Sequence, residues 1–372
     1  MKVDPFKVEK WLNAYELDVE INISETCVDP FTLGEFLRLT GREEFFEEFL
    51  DTKLTYGFIP GSPGLRSGLA KLYGNMGPEN ILVAGGAIGA NFLVFYSLVE
   101  PGDTVISVHP TYQQLYSVAE SFDANVKLLK LRMQDGWLPK IDELAGLVDD
   151  RTKLIVINNP NNPTGSLMDA ETLYAISDLA EEIGAYLLDD ESYRGLYVDP
   201  DESVPSVVEI TDMGIATGSL SKTFSLTGLR LGWIAAKRSL IEEFEDRRDY
   251  TTISNGMIDD ALATIAVENV DLVLQRNLDI LRTNYGILSE WIEGEPLIEW
   301  VPPRGGTVAF LRHKLPISSE ELCKRLMEEK DVLLVPGSCF DMDGFLRIGF
   351  GNNTDVLLEG LFRFKEFLNG YR

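Results

Sequence analysis

Gly218-Ser219-Leu220-Ser221-Lys222-Thr223-Phe224-Ser225-Leu226-Thr227-Gly228-Leu229-Arg230-Leu231-Gly232 is the stretch whose reading decides this chain. An apolar run ending at Ala216 precedes it, and Trp233-Ile234-Ala235-Ala236 follows. Both runs are short and apolar, as buried strands are. A lysine between two core strands must have its ammonium desolvated, paired or chemically used. Small hydroxyl residues surround Lys222, and Gly228-x-Arg230-x-Gly232 comes next. Such a lysine suits Schiff-base chemistry, with Ser219 and Arg230 as ligands for an anion. A solvated loop lysine is the bland alternative, and the rest of the chain decides between the two.

Upstream, apolar runs alternate with helical segments, each run closing on polar or turn-forming residues. Ala185-Tyr186-Leu187-Leu188 leads into Asp189-Asp190-Glu191-Ser192-Tyr193. A carboxylate at a strand's C-terminal end sits where α/β sheets bind ligands. Lys153–Asn159 reads as a strand entering the turn Pro160-Asn161-Asn162-Pro163-Thr164-Gly165,. Asp103–Val108 is another, followed by His109-Pro110-Thr111-Tyr112, whose aromatic ring is placed to stack on a flat ligand,. Asn80–Ala84 meets Gly85-Gly86-Ala87-Ile88-Gly89-Ala90, a glycine turn opening a helix. Free N–H groups and the positive end of the helix dipole make such a turn a phosphate site,. Thr55-Tyr56-Gly57 through Arg66 is a Gly/Pro loop,. Downstream, Arg347 lies in the short apolar run Gly344–Phe350. A buried arginine needs an anion, and its fork matches a carboxylate. The alternation predicts an α/β fold with a mostly parallel sheet.

These strings occur in one order, and together they resemble the class I and II aminotransferases of fold type I. The resemblance rests on Ser219-x-Ser221-Lys222 with Gly228-x-Arg230-x-Gly232, on Asn159-Pro160-x-Asn162-Pro163-Thr164-Gly165, on Asp190-Glu191-x-Tyr193, on the Tyr56 loop and on Arg347 after Phe340 and Gly344. It implies a large domain with a mostly parallel seven-stranded sheet and a smaller α+β domain. Expected boundaries are 1–50 for an arm and part of the small domain, 51–275 for the cofactor domain and 276–372 for the small domain. It implies pyridoxal 5'-phosphate bound to Lys222 as a Schiff base. Gly86, Ala87, Ile88, Ser219, Ser221 and Arg230 are then the phosphate ligands, with Tyr56 reaching the phosphate of a neighbouring subunit in a homodimer. Tyr112 stacks on the ring, and Asp190 pairs with its nitrogen. Asn162 and Tyr193 bond its phenolic oxygen. Arg347, with Asn162, takes the substrate α-carboxylate. The family often has a hydroxyl residue where Ile88 stands, so only the backbone N–H serves there. Amino acid and 2-oxo acid are the implied substrates.

Composition limits the alternatives. The 372 residues include 60 acids against 33 Lys and Arg, a net charge of −27, which argues against nucleic acid or an anionic membrane as partner,. No apolar run reaches membrane-span length. The N-terminal residues lack a signal-peptide core, so a cytoplasmic location is expected. Three cysteines and two histidines suggest neither a disulfide framework nor a metal site,.

Trp11-Leu12 with Ile21-Asn22-Ile23-Ser24, Arg248-Asp249-Tyr250-Thr251-Thr252 and Pro303-Arg304-Gly305-Gly306 further resemble the capreomycidine synthase subgroup. A pyridoxal-phosphate lyase or cyclase acting on an arginine derivative is therefore the alternative to transamination. On either reading the arm acids Glu16, Asp18, Glu20 and Glu25 are candidates to meet a cationic side chain.

Overall fold

The computed structural model describes residues 2–371. Helix α1 (Lys7–Tyr15) and the two-residue strand β1 (Ile21–Asn22) are followed by α2 (Leu33–Thr40), α3 (Phe45–Phe49) and α4 (Pro63–Ala70). α2 opens on a reciprocal cap: Thr32 Oγ1 accepts from the Glu35 N–H, and Glu35 accepts from the Thr32 N–H,. The pattern over 41–50 suggested one amphipathic helix, yet only Phe45–Phe49 is helical. Gly41, left-handed at φ 65°, terminates α2 at this point, and α3 starts afresh beyond it,.

Strand and helix then alternate: β2 (Ile81–Ala84), α5 (Gly86–Leu98), β3 (Thr104–His109), α6 (Gln114–Ser121), β4 (Asn125–Lys130), α7 (Ile141–Leu147), β5 (Thr152–Asn158), α8 (Ala170–Ile183), β6 (Tyr186–Asp190), α9 (Val207–Ile210), β7 (Gly214–Ser219) and β8 (Gly232–Ala236). They build a seven-stranded sheet in the order β2-β8-β7-β6-β5-β3-β4. All neighbours are parallel except the two that pair with β8. Both faces are covered. Ile81, Ile106, Ile155, Leu187 and Ala216 join one apolar cluster, while Leu82, Val105, Leu154, Leu188 and Ile215 join the other. This period-2 division makes the strands continuous apolar runs in sequence.

The chain continues through α10 (Arg238–Arg248), α11 (Met257–Glu268) and α12 (Val270–Glu293). The helical run expected from 258 to 289 is thus two helices, broken at Asn269, where φ is −119° and ψ 32°. Next come β9 (Ile298–Trp300), β10 (Val308–His313), α13 (Ser319–Lys330), β11 (Val332–Leu333), β12 (Val335–Pro336), β13 (Phe345–Gly349) and α14 (Thr354–Asn369). Strands β12-β13-β10-β9 form an antiparallel sheet, and β1 pairs with β11. No described helix is long and apolar enough to cross a membrane.

The stretch after β1 runs between the two sheets. The Gly349 N–H donates to Ile23 O at 2.8 Å, and the Asp29 N–H donates to Gly351 O at 2.8 Å. A Cβ on Gly349 would fall 1.7 Å from Glu25 O, a backbone atom that cannot rotate away. Gly349→Ala therefore forces this stretch off β13. The expected cost is about 1–3 kcal/mol, as for overpacked interiors, read as a lowered denaturant midpoint with an unchanged slope. An unaltered midpoint would show that the contact does not constrain the fold.

Candidate active site

Because β3, β5, β6 and β7 are parallel, their C-terminal ends lie along one edge of the sheet,. A cavity of about 500 Å³ opens there, and Lys222, Asp190, Asn162, Tyr112 and Arg347 all line it. The chain leaves β7 at Ser219, whose Oγ accepts from the Ser221 N–H at 2.9 Å. That turn carries Lys222 over the edge. Its Nζ donates to Thr26 Oγ1 at 2.5 Å and to Cys27 Sγ at 3.4 Å.

Asp190 ends β6. One carboxylate oxygen accepts from Asn91 Nδ2 at 2.8 Å, and the other accepts from Ser192 Oγ at 2.6 Å and its N–H at 3.1 Å. All these donors are neutral, so none of them cancels the carboxylate's charge. Asp189 points to the opposite face of the sheet, where burial, with Glu191 adding to it, holds its carboxyl well above the usual range,. The choice of Asp190 over its neighbour thus agrees with the pleat. Asn158 Nδ2 donates to Asp190 O at 2.7 Å and its Oδ1 accepts from the Asn162 N–H at 2.7 Å, so β6 and the Asn162 turn are held together.

Gly86-Ala87-Ile88 is the first turn of α5, and no side chain caps it. Ala87 and Ile88 line the cavity, and Gly86 does not. A Cβ on Gly232 of β8 would lie 2.4 Å from Gly86 C and 2.5 Å from Ala87 N. Only glycine lets the strand approach the turn so closely. Arg230 faces the turn: its Nη2 lies 3.3 Å from where a Gly86 Cβ would be, and its Nη1 donates to Thr227 O at 3.0 Å. Ser219 and Ser221 line the same side.

Arg347 is 1% exposed. Its Nη1 donates to Asn162 Oδ1 at 3.3 Å and Nη2 to Ser24 O at 3.1 Å, while Nε has no partner. Burial lowers its pKa, opposed by Tyr193 and Glu9. The Tyr193 hydroxyl is buried without a hydrogen bond, and burial raises its pKa. Tyr112 donates its hydroxyl to Glu9 Oε1 at 2.9 Å and packs its ring 4.8 Å from Phe6. Burial and then Glu9 push that phenol up.

An unfilled helix N-terminus with an arginine beside it, a carboxylate held by neutral donors, an orphaned buried phenol and an amine together fit pyridoxal phosphate as a donor set. Tyr56 does not line this cavity and is 70% exposed on its loop. Among the described residues no cluster of His, Cys, Asp and Glu is suited to a metal.

Sequence reasoning missed Asn91, Ser192, Glu9 and Thr26, all of which line the cavity. Asn91 had a signal: it is the one amide inside the apolar helix α5, and it is fully buried. The arm acids fare differently from expectation. Glu20 pairs with Arg363 at 2.9 Å, Asp18 and Glu25 are exposed, and none of Glu16, Asp18, Glu20 or Glu25 lines the cavity. Glu9, on α1, does.

Arg347→Lys keeps the charge and loses the fork. It should weaken binding of a carboxylate ligand by about 2–5 kcal/mol, the range for a broken buried charge pair, with cofactor content unchanged. Unaltered substrate titration would return Arg347 to a purely structural part.

Comparison with known proteins agrees with this geometry. Residues 47–363 match the family of class I and II aminotransferases. Capreomycidine synthase of Streptomyces vinaceus is 32% identical over 364 residues, 97% of this chain and 93% of that enzyme. An aspartate aminotransferase of Pyrococcus horikoshii is 28% identical over 326 residues, 83% of this chain and 82% of the other. Among solved structures, a PLP-dependent aminotransferase from Streptococcus suis superposes with a TM-score of 0.97 at 42% identity, covering 100% of this chain and 99% of that one. The PLP-dependent cyclase OrfR superposes at 0.92 with 27% identity, covering 100% and 99%. A match over most of the length, on a chain whose cavity holds the donor set that pyridoxal 5'-phosphate requires, makes this protein a pyridoxal-phosphate enzyme that belongs to the class I and II aminotransferases.

Proposed function

We propose that the protein moves the amino group of an L-amino acid with a cationic side chain to a 2-oxo acid. The observation that carries this reading is that a buried arginine without a carboxylate partner and a carboxylate, Glu9, open onto the same cavity as Lys222. When bound, pyridoxal phosphate supplies an aldehyde that captures the amine and a ring that accepts the electrons of a broken Cα–H bond. The residues do the rest. Arg347 grips the α-carboxylate and fixes the Cα–H direction. Asp190, oriented by Asn91 and Ser192, keeps a proton on the ring nitrogen. Asn162 and Tyr193 hold the phenolic oxygen, and Tyr112 covers the ring. The Gly86-Ala87-Ile88 turn with Ser219, Ser221 and Arg230 anchors the phosphate. Lys222 takes the Cα proton and returns it one atom further on. Glu9 faces the distal end of the substrate, where an ammonium or guanidinium completes the charge pairing.

A second reading is an elimination or cyclisation of an arginine derivative. The likeness to capreomycidine synthase and to OrfR favours it. One experiment separates the two. Each common amino acid, plus hydroxyarginine, is mixed with the holoenzyme and the cofactor absorbance is followed. Arginine or lysine should convert the cofactor to its pyridoxamine form. Elimination products from hydroxyarginine without that conversion would favour the cyclase. Glu9→Gln should lower kcat/KM for the cationic donors about 10- to 100-fold, the worth of a charged hydrogen bond, and leave alanine unaffected. A glutamate or aromatic donor reacting much faster than arginine would sink the cationic assignment.

The same reading includes a homodimer. Leu50, Leu54, Tyr56, Phe58 and Tyr250 are each more than 60% exposed, an apolar density that a second copy would cover. It also divides the chain into the arm with part of the small domain over 1–50, the cofactor domain over 51–275 and the small domain over 276–372. A cytoplasmic location fits three unpaired thiols,. Tyr56 is assigned to the partner's phosphate. Mixing Tyr56→Phe with Lys222→Ala protomers should create some sites with both residues intact, so activity should rise above that of either parent. A fully active monomer in sedimentation would contradict the shared site.

A further inference from the structure

Lys222 has an unexpected pair of partners. Its Nζ meets Thr26 Oγ1 and Cys27 Sγ, two adjacent residues of the stretch between β1 and α2. That stretch is fixed from both sides. Thr307 Oγ1 donates to Thr26 O at 2.8 Å, Thr227 Oγ1 donates to Cys27 Sγ at 3.3 Å, and Ser225 Oγ donates to Val28 O at 2.6 Å. Two residues earlier, Ser24 O accepts from Arg347. One short segment therefore touches both the amine and the carboxylate-binding arginine.

A neutral primary amine carries two N–H donors and one lone pair. With Thr26 Oγ1 and Cys27 Sγ accepting both N–H groups, the lone pair has only the remaining tetrahedral direction, away from the arm. We propose that Thr26 is a positioning residue for proton transfer: with Cys27 it aims the free valence of Lys222 Nζ at the substrate Cα–H. The proton leaves Cα for that lone pair, and the same direction holds the N–H that later returns it. The electron pair of the broken bond passes to the cofactor, as in the family reaction. The inference rests on Lys222 being the acid–base group of the proposed reaction.

The test follows Cα-hydrogen exchange from deuterated water by mass spectrometry in the holoenzyme. Thr26→Val keeps the shape and removes the acceptor. It should slow exchange about 10- to 100-fold, as small misplacements of catalytic groups do, with KM, cofactor content and thermal midpoint little changed. Thr26→Ser should restore most of the rate, and Cys27→Ala should give a smaller loss. In cofactor-free protein, the pH dependence of Lys222 acetylation should shift to lower pH in Thr26→Val, because an acceptor for the ammonium is gone. The inference is overturned if Thr26→Val exchanges at the wild-type rate. It is equally overturned if Thr26→Ser is as slow as Thr26→Val, or if the loss only parallels lost cofactor and lowered midpoint. Absence of exchange in the wild type with every amino acid would instead remove the proposed reaction, and this inference with it.

Discussion

Three cations, Lys222, Arg230 and Arg347, face one cavity, and among the described residues none of them forms an ion pair with a carboxylate. In a chain of net charge −27 this is a costly arrangement, since acids are plentiful and have been kept off these groups. The cost is greatest at Arg347, which is fully buried, while Lys222 is half-buried and Arg230 exposed at the rim; burying charge without a counter-charge is destabilising unless a ligand completes it. The rest of the site can be understood as accommodating that constraint. The polar atoms around Arg347 are an amide oxygen and a backbone carbonyl, which orient the guanidinium without neutralising it. Arg230 is tied to the Thr227 carbonyl in the same way. The cavity thus offers cations without carboxylate partners, as the proposed phosphate and carboxylate ligands require.

The scaffold meets this demand with rigid parts. Parallel strands bring their C-terminal ends to one edge, and the functional side chains stand at those ends or one turn beyond. Asn91, deep in α5, accepts from Thr217 Oγ1 at 2.6 Å and donates to Asp190, so a helix and two strands converge on one carboxylate. Gly232 lets β8 press against the phosphate turn. The arm enters the site from outside the sheet: Trp11 Nε1 donates to Leu334 O at 2.9 Å, and the Lys7 N–H donates to Gln113 Oε1 at 2.8 Å. Helix α1 consequently spans the gap between Tyr112 and the small antiparallel sheet, with Glu9 held over the opening.

Much of this was legible in the chain. The buried strands of the seven-stranded sheet read as apolar runs because both faces are covered, and the turn residues after each strand marked its functional end. Strand β4 escaped notice because, unlike the buried edge strand β2, it has half of its residues exposed and carries two lysines, so Asn125-Val126-Lys127-Leu128-Leu129-Lys130 is not a continuous apolar run,. The break between α11 and α12 was invisible for a related reason. Asn269 is compatible with a helix, and only its packed backbone conformation stops one.

What the sequence determined by itself was local: which residues end strands, which turn opens a helix, and which lysine, carboxylate and arginine have no structural reason to lie in apolar surroundings. Those are properties of a residue and its near neighbours along the chain, so short strings carry them. The sequence alone did not reveal contacts across long separations. Lys222 meets Thr26 across 196 positions, Tyr112 meets Glu9 across 103, and Asp190 meets Asn91 across 99. Nothing near Thr26 or Glu9 along the chain marks either as a partner, and Asn91 stands out only as the one amide of an apolar helix. Asn91 reached the site when α5 packed on the sheet, whereas Glu9 and Thr26 did so only when the arm folded back over the sheet edge, a closure that depends on α1 packing near β12 and on β1 pairing with β11. For the same reason the arm carboxylate facing the cavity is Glu9, on a helix whose orientation is fixed by tertiary contacts, while the acids nearer β1 face solvent or pair elsewhere.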